Sequence, residues 1–228
     1  MDSELVYMKL SEIDVPEKLK SILKFDELRP SQAKAIEAGL LKRENLLVCT
    51  PTASGKTLIA ELAMMKGIIK RVGKAIYIVP LKALASEKLK DFTKKYGHLC
   101  KIVMSIGDLD KKEDYLGKYD MIITTSEKLD SLIRHHTPWL RDVGTIVVDE
   151  VHLLNDPGRG PTLEILITIL KKILSKAQFI CLSATIGNPD ELANWLDARL
   201  VIDKWRPVKL HKGILFEEKM EFYEKEKE

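Results

Sequence analysis

Short apolar runs recur along the 228-residue chain and constrain its fold more than any other feature. Most of these runs are almost continuously hydrophobic, and the last is weaker. They are LLVC (46–49), AIYIV (75–79), IVMSI (102–106), MIITT (121–125), TIVVDE (145–150), FICLSA (179–184) and LVI (200–202). Runs without an exposed polar face are typical of strands buried between two layers of helices. The pattern therefore predicts a parallel sheet.

Segments with helical spacing separate the predicted strands. They are TLIAELAMMKGIIK after the first strand, KALASEKLKDFTKKY after the second, SEKLDSLIR after the fourth and PTLEILITILKKILSK after the fifth. This alternation indicates an open, mainly parallel α/β sheet with helices on both faces and right-handed crossovers. Ligands bind such sheets beyond the carboxyl ends of the strands, so the polar clusters that follow the strands contain the candidate functional residues.

The cluster TPTASGKT follows the first strand and is close to the phosphate-binding pattern G-x-x-x-x-G-K-[ST]. Thr50 stands in the place of the first glycine, and we expect it to keep a negative φ, which a β-branched residue tolerates. The residues expected to bind nucleotide are Thr50, Pro51, Thr52, Ala53, Ser54, Gly55, Lys56 and Thr57. The alternative is a Ser/Gly-rich strand-to-helix turn that contains an incidental lysine.

The chemistry of this loop would come from its backbone and its last two residues. Backbone N–H groups and the start of the following helix suit the binding of a phosphate. Lys56 would lie against the β- and γ-phosphates of ATP, and the hydroxyl of Thr57 would bind Mg²⁺. ATP and Mg²⁺ are therefore the predicted cofactors.

Two adjacent acids, Asp149 and Glu150, end the buried run TIVV about 90 residues after the loop. Unpaired carboxylates at the end of a buried strand are unfavourable, and a Mg²⁺–nucleotide complex would remove the difficulty. Asp149 would hold Mg²⁺ through water, and Glu150 would orient and deprotonate the attacking water. Together with Lys56 they are the predicted catalytic residues; the alternative is a solvated pair of acids in a loop.

Composition excludes several classes of protein. The chain has no apolar run long enough to span a membrane, and its acidic start does not resemble a secretory signal. The three cysteines are widely spaced without a C-x-x-C pair, so we expect buried thiols rather than a metal site. A net charge of +3 does not by itself predict nucleic-acid binding. Two glutamines and four asparagines among many charged residues suggest a thermophilic source as a hypothesis.

The ordered set TPTASGKT, VPLKALASEK, TTSEK, DEVH and SAT resembles the first RecA-like domain of superfamily 2 helicases. Many members of that group have Ala, Ser or Thr at the first position of the loop. DEVH, FDELRPSQ, LNDPGRGPTLE and ATIGNPDELANWL resemble the Ski2-like branch, and within it the archaeal Hjm-type DNA repair helicases. The resemblance covers nearly the whole chain.

The resemblance implies roles for further residues. FDELRPSQ is similar to the adenine-recognising Q motif, in which Gln32 would bond to adenine and Phe25 would pack near the base. Ser183 and Thr185 of SAT are similar to a relay that bonds toward His152 and links the nucleotide to domain movement. Apart from the resemblance, a helix-capping Gln32, a core Phe25 and a loop histidine fit the sequence as well.

A further set of residues is similar to the motifs that grip the sugar-phosphate backbone of one nucleic-acid strand. The implied contacts are Pro80, Lys82, Ala83, Gly107, Asp108, Thr124 and Thr125. Contacts of this kind position a strand without reading its sequence. On the sequence alone, Lys82 is as readily a solvated lysine at the start of a helix.

The resemblance implies a RecA-like ATP-binding domain over 1–204, with an N-terminal extension and the Q-like motif in 1–32. Residues 205–228 would begin a linker toward a second RecA-like domain. No Q-x-x-G-R-x-x-R-type motif with an arginine finger occurs in the sequence, so we expect one motor domain that partners the C-terminal half of the same protein. An arginine finger is worth about 10³–10⁵ in rate, so we expect this chain to bind ATP, hydrolyse it very slowly and not unwind duplexes.

The implied parent is a cytoplasmic, monomeric 3′–5′ DNA helicase that acts on single-stranded or forked DNA in repair and replication-fork processing. Three alternatives stay open. A Ski2-type RNA helicase fits as well, because no residue is recognisable as reading a 2′-hydroxyl. A P-loop kinase or signalling NTPase would show no effect of nucleic acid on turnover. A nucleotide-dependent binding module would not need Glu150 for turnover.

Overall fold

The computed structural model describes residues 8–107, 113–208, 212–216 and 219–223. Its strands are β1 (Met8–Lys9), β2 (Glu27–Leu28), β3 (Leu46–Cys49), β4 (Lys74–Val79), β5 (Ile102–Ser105), β6 (Met121–Thr125), β7 (Val143–Val148), β8 (Gln178–Ser183), β9 (Arg199–Ile202), β10 (Lys212–Phe216) and β11 (Lys219–Tyr223). Its α-helices are α1 (Glu17–Lys20), α2 (Pro30–Glu37), α3 (Lys56–Ile69), α4 (Lys82–Tyr96), α5 (Ser126–Arg134), α6 (Gly160–Ile173) and α7 (Pro189–Leu196). Short 3₁₀ segments lie at Leu10–Glu12, Leu40–Lys42, Asp114–Lys118, Pro138–Asp142 and Val151–Asn155.

Strands β3 to β9 form one sheet of seven strands in the order β5-β6-β4-β7-β8-β3-β9. All neighbouring strands in it are parallel. These strands are the apolar runs of the sequence, and their bounds differ from the predicted ones by at most two residues. The predicted open α/β fold with a parallel sheet is therefore confirmed.

Alternate residues of each central strand pack into two hydrophobic cores, one on each face of the sheet. Leu46 of β3 contacts the core that includes residues of α1 to α4, whereas its neighbour Leu47 contacts the core that includes residues of α5 to α7. Both side chains are fully buried. Because helices cover both faces, the strands are apolar along their whole length rather than alternating with polar residues.

The order of the strands brings the polar clusters to one edge of the sheet. The phosphate-loop sequence follows β3, the acid pair follows β7, and β8 lies between these two strands. Parallel strands end side by side, so the loop and the acid pair face the same crevice at the carboxyl edge. This crevice is where an open α/β sheet binds its ligands.

Two short antiparallel pairs lie outside the main sheet, β1 with β2 and β10 with β11. The three cysteines are free and buried, in keeping with the expectation of thiols that pack as apolar side chains. Among the described residues, no helix combines the length and the apolar character that a bilayer span requires.

Candidate nucleotide and nucleic-acid site

The loop between β3 and α3 has the backbone of a phosphate-binding turn. Gly55, immediately before α3, has a φ of +94°, and Ala53 has a φ of +65°. Thr50 is not among the described residues with a positive φ, as its β-branched side chain requires. Its hydroxyl lies 2.8 Å from that of Ser54, and both residues are buried. The left-handed conformations are therefore at positions 53 and 55, and Thr50 contacts the loop through the Ser54 hydroxyl.

The two reactive side chains of the loop point toward neighbouring elements. The Lys56 ammonium donates to the carbonyl oxygen of Ser183 at the end of β8, at 3.0 Å. The Lys88 ammonium of α4 donates to the Thr57 hydroxyl oxygen at 3.3 Å. No described carboxylate forms an ion pair with Lys56, so its charge is held by a neutral carbonyl. Of the remaining loop residues, Pro51 is buried and Thr52 is exposed.

The acid pair lies at the carboxyl end of β7, where the sequence places it. The backbone N–H of Asp149 donates to the carbonyl oxygen of Ile78 at 2.9 Å and so continues the pairing of β7 with β4. Glu150 has a φ of +54°, a conformation that few residues other than glycine adopt. Its backbone N–H donates to Asp149 Oδ1 at 3.0 Å. The turn therefore directs the two carboxylates differently.

A buried tyrosine contacts the first acid. The Tyr77 hydroxyl of β4 donates to Asp149 Oδ2 at 2.7 Å. Burial and the neighbouring Asp149 carboxylate raise the pKa of Tyr77 well above its usual value, so the hydroxyl stays protonated and remains a donor. This contact was not foreseen from the sequence, in which Tyr77 is one apolar residue of a buried strand.

His152 contacts the second acid and the strand that follows. Its Nδ1 lies 3.3 Å from Glu150 Oε2 and accepts from the backbone N–H of Ala184 at 3.4 Å. The expected relay through Ser183 and Thr185 has a different form here. The buried Ser183 hydroxyl has no hydrogen-bond partner among the described residues, and Thr185 is exposed. The SAT segment therefore reaches His152 through its backbone.

The Q-like motif lies against the phosphate loop. Gln32 is buried, its Nε2 donates to the Gly55 carbonyl oxygen at 3.1 Å, and its Oε1 accepts from the Arg29 backbone N–H at 2.9 Å. Arg29 also donates from its guanidinium to the Ala53 carbonyl oxygen at 2.9 Å. Phe25 is half-buried and lines a cavity of about 670 Å³ with residues of α3 and α4. None of the loop residues 50–57 is among the residues that line this cavity. The structure brings Gln32 to the loop, but not Phe25.

Five of the seven residues expected to contact nucleic acid line one open cavity of about 580 Å³. Its lining residues are Pro80, Leu81, Lys82, Ala83, Gly107, Thr125, Glu127 and Arg159. Thr124 is fully buried, and Asp108 lies outside the described residues. Arg159 and Glu127 were not predicted as contacts, although both lie in motifs visible in the sequence, DPGRGP and TTSEK. Arg159 is therefore a second positively charged residue at the cavity, distant in sequence from Lys82.

The side chains at this edge include ligand types that suit a Mg²⁺–nucleotide complex. Thr57 and Asp149 offer hard oxygen ligands, and Mg²⁺ is commonly bound by one or two such groups together with phosphates and water. Within the described part of the chain, no cluster of three or more His, Cys, Asp or Glu residues is arranged to hold a metal. A Cβ at position 55 would lie 2.5 Å from Gln32 Nε2, so the loop leaves no room there for a side chain.

Comparison with known proteins identifies relatives of this chain. The chain is 54% identical over 214 residues to the ATP-dependent DNA helicase Hel308 of Pyrococcus abyssi, covering 92% of the chain and 29% of that protein. It is 57% identical over 203 residues to Hel308 of Methanocaldococcus jannaschii, covering 86% of the chain and 17% of that protein. These relatives confirm the resemblance to archaeal Ski2-like helicases, and the chain spans less than a third of their length.

Solved structures of helicases share the fold. The DUF1998 helicase MrfA bound to DNA has a TM-score of 0.75 and 29% identity, over 89% of this chain and 31% of that one. MrfA bound to DNA and AMPPNP also has a TM-score of 0.75, with 31% identity. Residues 29–192 match the DEAD/DEAH box helicase family. The chain therefore belongs to the DEAD/DEAH box helicase family.

Proposed function

We propose that residues 1–204 form the ATP-binding motor domain of an ATP-dependent DNA helicase. The observation that carries this proposal is the position of Lys56 and Thr57 across the end of β8 from Asp149 and Glu150, at one edge of the sheet. The names of the relatives, which are ATP-dependent DNA helicases, support it. A role in DNA repair and replication-fork processing with 3′–5′ translocation is the corresponding proposal for the parent protein.

Each residue of the site has a defined task in this proposal. Lys56 exchanges the Ser183 carbonyl for the β- and γ-phosphates of ATP, which are stronger partners for an ammonium. Thr57 and Asp149 would hold Mg²⁺, and the ion would neutralise charge on the phosphates. Glu150 accepts the proton of the attacking water. His152, in contact with Glu150, passes the state of that carboxylate to the Ala184 backbone.

The base of the nucleotide is proposed to lie beside Gln32. The amide of Gln32 already donates one hydrogen bond to the loop and accepts another from Arg29. It keeps one N–H and one oxygen lone pair, which match the N6 and N7 atoms of adenine. Binding of the base would therefore affect the phosphate loop, because the Gln32 side chain would contact both the base and Gly55.

The cavity of about 580 Å³ is the proposed path of the nucleic-acid strand. Lys82 and Arg159 supply positive charge, and Gly107 and Thr125 also lie at its wall. This arrangement supports backbone contacts rather than base readout. The choice of DNA over RNA rests on the names of the relatives, and a Ski2-type RNA helicase is the second candidate.

A second RecA-like domain is proposed to complete the site. The chain spans 29% of the length of the two Pyrococcus relatives, which supports a longer parent protein. Residues 205–228 would then lead toward that domain, which would supply an arginine finger. We expect the present chain to bind ATP but to hydrolyse it very slowly, since the finger is worth about 10³–10⁵ in rate.

Binding of a fluorescent ATP analogue with Mg²⁺ tests the nucleotide site. Lys56→Met should weaken binding by about 10- to 100-fold, the worth of a hydrogen bond to a charged group. Lys66→Met is the matched control, because Lys66 lies on the same helix and donates to the Leu41 carbonyl away from the loop. Glu150→Gln should bind as the unsubstituted chain does and lose its residual hydrolysis. Equal binding by the Lys56 and Lys66 variants would contradict the proposal.

Nucleic-acid binding separates the alternatives. Fluorescence anisotropy with oligo(dT) and oligo(rU) of equal length should show tighter binding of the DNA in the presence of nucleotide. Preference for the RNA would favour an RNA helicase, and no binding of either would favour a P-loop kinase or signalling NTPase. Rapid ATP hydrolysis stimulated by DNA in this chain would contradict the need for a second domain.

A further inference from the structure

We infer that two further residues act on the side chains proposed to hold Mg²⁺. Tyr77 positions Asp149, and Lys88 occupies the Thr57 hydroxyl and competes with the metal for it. This inference rests on the proposed function, because it concerns the same nucleotide site. Neither residue is among the site residues predicted from the sequence. Tyr77 lies on β4, the neighbour of β7 in the sheet, and Lys88 lies on α4.

Tyr77 holds one oxygen of a carboxylate whose other oxygen is held by the backbone. Its hydroxyl donates to Asp149 Oδ2 at 2.7 Å, while the Glu150 N–H donates to Asp149 Oδ1 at 3.0 Å. A carboxylate with a donor on each oxygen cannot rotate freely about its last bond. Partners of this kind around a metal ligand commonly set the orientation of the ligand and its affinity for the metal.

The ring of Tyr77 is itself fixed by packing. It is fully buried in β4, and Phe92 of α4 packs against it edge to face, with centroids 5.3 Å apart. Tyr77 pairs with Val147 in the sheet, two residues before Asp149. The register of β4 against β7 therefore places Tyr77 beside the carboxyl end of β7, within reach of Asp149.

Lys88 connects this tyrosine to the other proposed ligand. Its ammonium lies 5.9 Å from the centroid of the Tyr77 ring and donates to the Thr57 hydroxyl oxygen at 3.3 Å. A metal ion bound to the same oxygen would lie close to the ammonium, and the two positive charges would repel each other. Lys88 in this position therefore opposes the binding of Mg²⁺ and competes with the metal.

The chain contains a second tyrosine and lysine pair of the same kind. The Tyr96 hydroxyl donates to Glu61, and Lys95 lies 5.1 Å from the centroid of the Tyr96 ring and pairs with the same carboxylate. That pair joins α3 to α4 without contacting the loop or the acid pair. It provides matched control variants in which the same chemical group is removed at a different place.

Binding of Mn²⁺, a paramagnetic substitute for Mg²⁺, in the presence of saturating ADP tests the role of Tyr77. Electron paramagnetic resonance of free Mn²⁺ gives the dissociation constant directly. We expect Tyr77→Phe to weaken Mn²⁺ binding by about 10-fold or more, while Tyr96→Phe leaves it within about twofold of the unsubstituted chain. Equal Mn²⁺ affinities for the two variants would overturn the positioning role of Tyr77, whatever their effects on stability.

The same measurement on Lys88→Met tests the role of the lysine and does not depend on a core substitution. Removal of one positive charge next to the metal should tighten Mn²⁺ binding, on the order of fivefold, whereas Lys95→Met should not change it. Unchanged or weaker Mn²⁺ binding by Lys88→Met would overturn the competition. If the unsubstituted chain binds neither ADP nor Mn²⁺, the proposed nucleotide site itself is refuted; if it binds both, only the variants decide this inference.

Discussion

The side-chain nitrogen of Gln32 donates to the carbonyl oxygen of Gly55 at 3.1 Å and so joins the start of α2 to the phosphate loop. The loop can approach the amide this closely only because position 55 has no side chain. A Cβ there would lie 2.5 Å from Gln32 Nε2, and the φ of +94° is unfavourable for any L-residue with a side chain. Glycine is therefore required at this position for two separate reasons.

Gly55→Ala should lower the free energy of unfolding by about 2–3 kcal/mol, because strain of about 1–2 kcal/mol adds to displacement of Gln32. Gly107→Ala is the control, since Gly107 has a φ of +93° but a methyl group on its Cα would meet no described atom within 4 Å. Gly107→Ala should therefore lower the free energy of unfolding by the backbone strain alone, about 1–2 kcal/mol. Urea denaturation followed by circular dichroism measures both, and equal losses would contradict the predicted clash.

Asp203→Asn should destabilise the chain by about 1–2 kcal/mol. Asp203 is buried and pairs with Lys34 of α2 at 2.7 Å. The loss should stay below the roughly 3–5 kcal/mol typical of a fully buried pair, because Lys34 can reach water. Glu17→Gln removes an exposed partner of Lys20 and should cost less than about 0.5 kcal/mol. Equal urea midpoints for Asp203→Asn and Glu17→Gln would contradict this prediction.

Stability should fall at alkaline pH in a way that depends on Cys181. Complete burial raises the pKa of the Cys181 thiol to about 12, while the unfolded thiol titrates near its ordinary value of about 8.5. Below about pH 8.5 both states hold the proton. Above it the unfolded state loses the proton first, so the folded state loses about 1.4 kcal/mol of stability per pH unit until pH approaches 12.

Urea unfolding at pH 7 to 10.5 under reducing conditions checks this effect. Cys181→Ala should be less stable at neutral pH because of the small cavity, yet lose less stability as the pH rises. The buried tyrosines titrate equally in both proteins and cancel in the comparison. Parallel curves for the two proteins above pH 9 would refute the contribution of Cys181.

Arg159→Ala should weaken binding of single-stranded DNA and reduce the dependence of that binding on salt, by about one unit of slope if Arg159 contacts one phosphate. Arg159 lines the cavity with Lys82, although their positions differ by 77 in the sequence. Arg141→Ala is a matched control, because Arg141 is exposed just before β7 at the opposite edge of the sheet. A salt slope that is unchanged in Arg159→Ala, or changed equally in both variants, would exclude the contact.

The strands and long helices could be predicted because their residues carry the pattern locally. LLVC and MIITT became β3 and β6 without a shift, and KALASEKLKDFTKKY became α4. Lys56 could be chosen as a site residue because it belongs to the phosphate-binding pattern, and Asp149 because an unpaired carboxylate at the end of a buried strand is unfavourable. Tyr77 had no such signal, since a tyrosine in an apolar strand is ordinary and its partner lies 72 residues away.

The sequence by itself determined the parallel sheet, the phosphate loop and the acid pair, because burial on both faces and phosphate chemistry require particular residue types at particular spacings. The tertiary structure alone decided which side chains meet. It turned Gln32 toward Gly55, connected SAT to His152 through the Ala184 backbone, and left Phe25 in a separate cavity. Those contacts depend on strand order and helix placement. These bring together residues that are distant in sequence, and the local sequence around each residue does not indicate its partner.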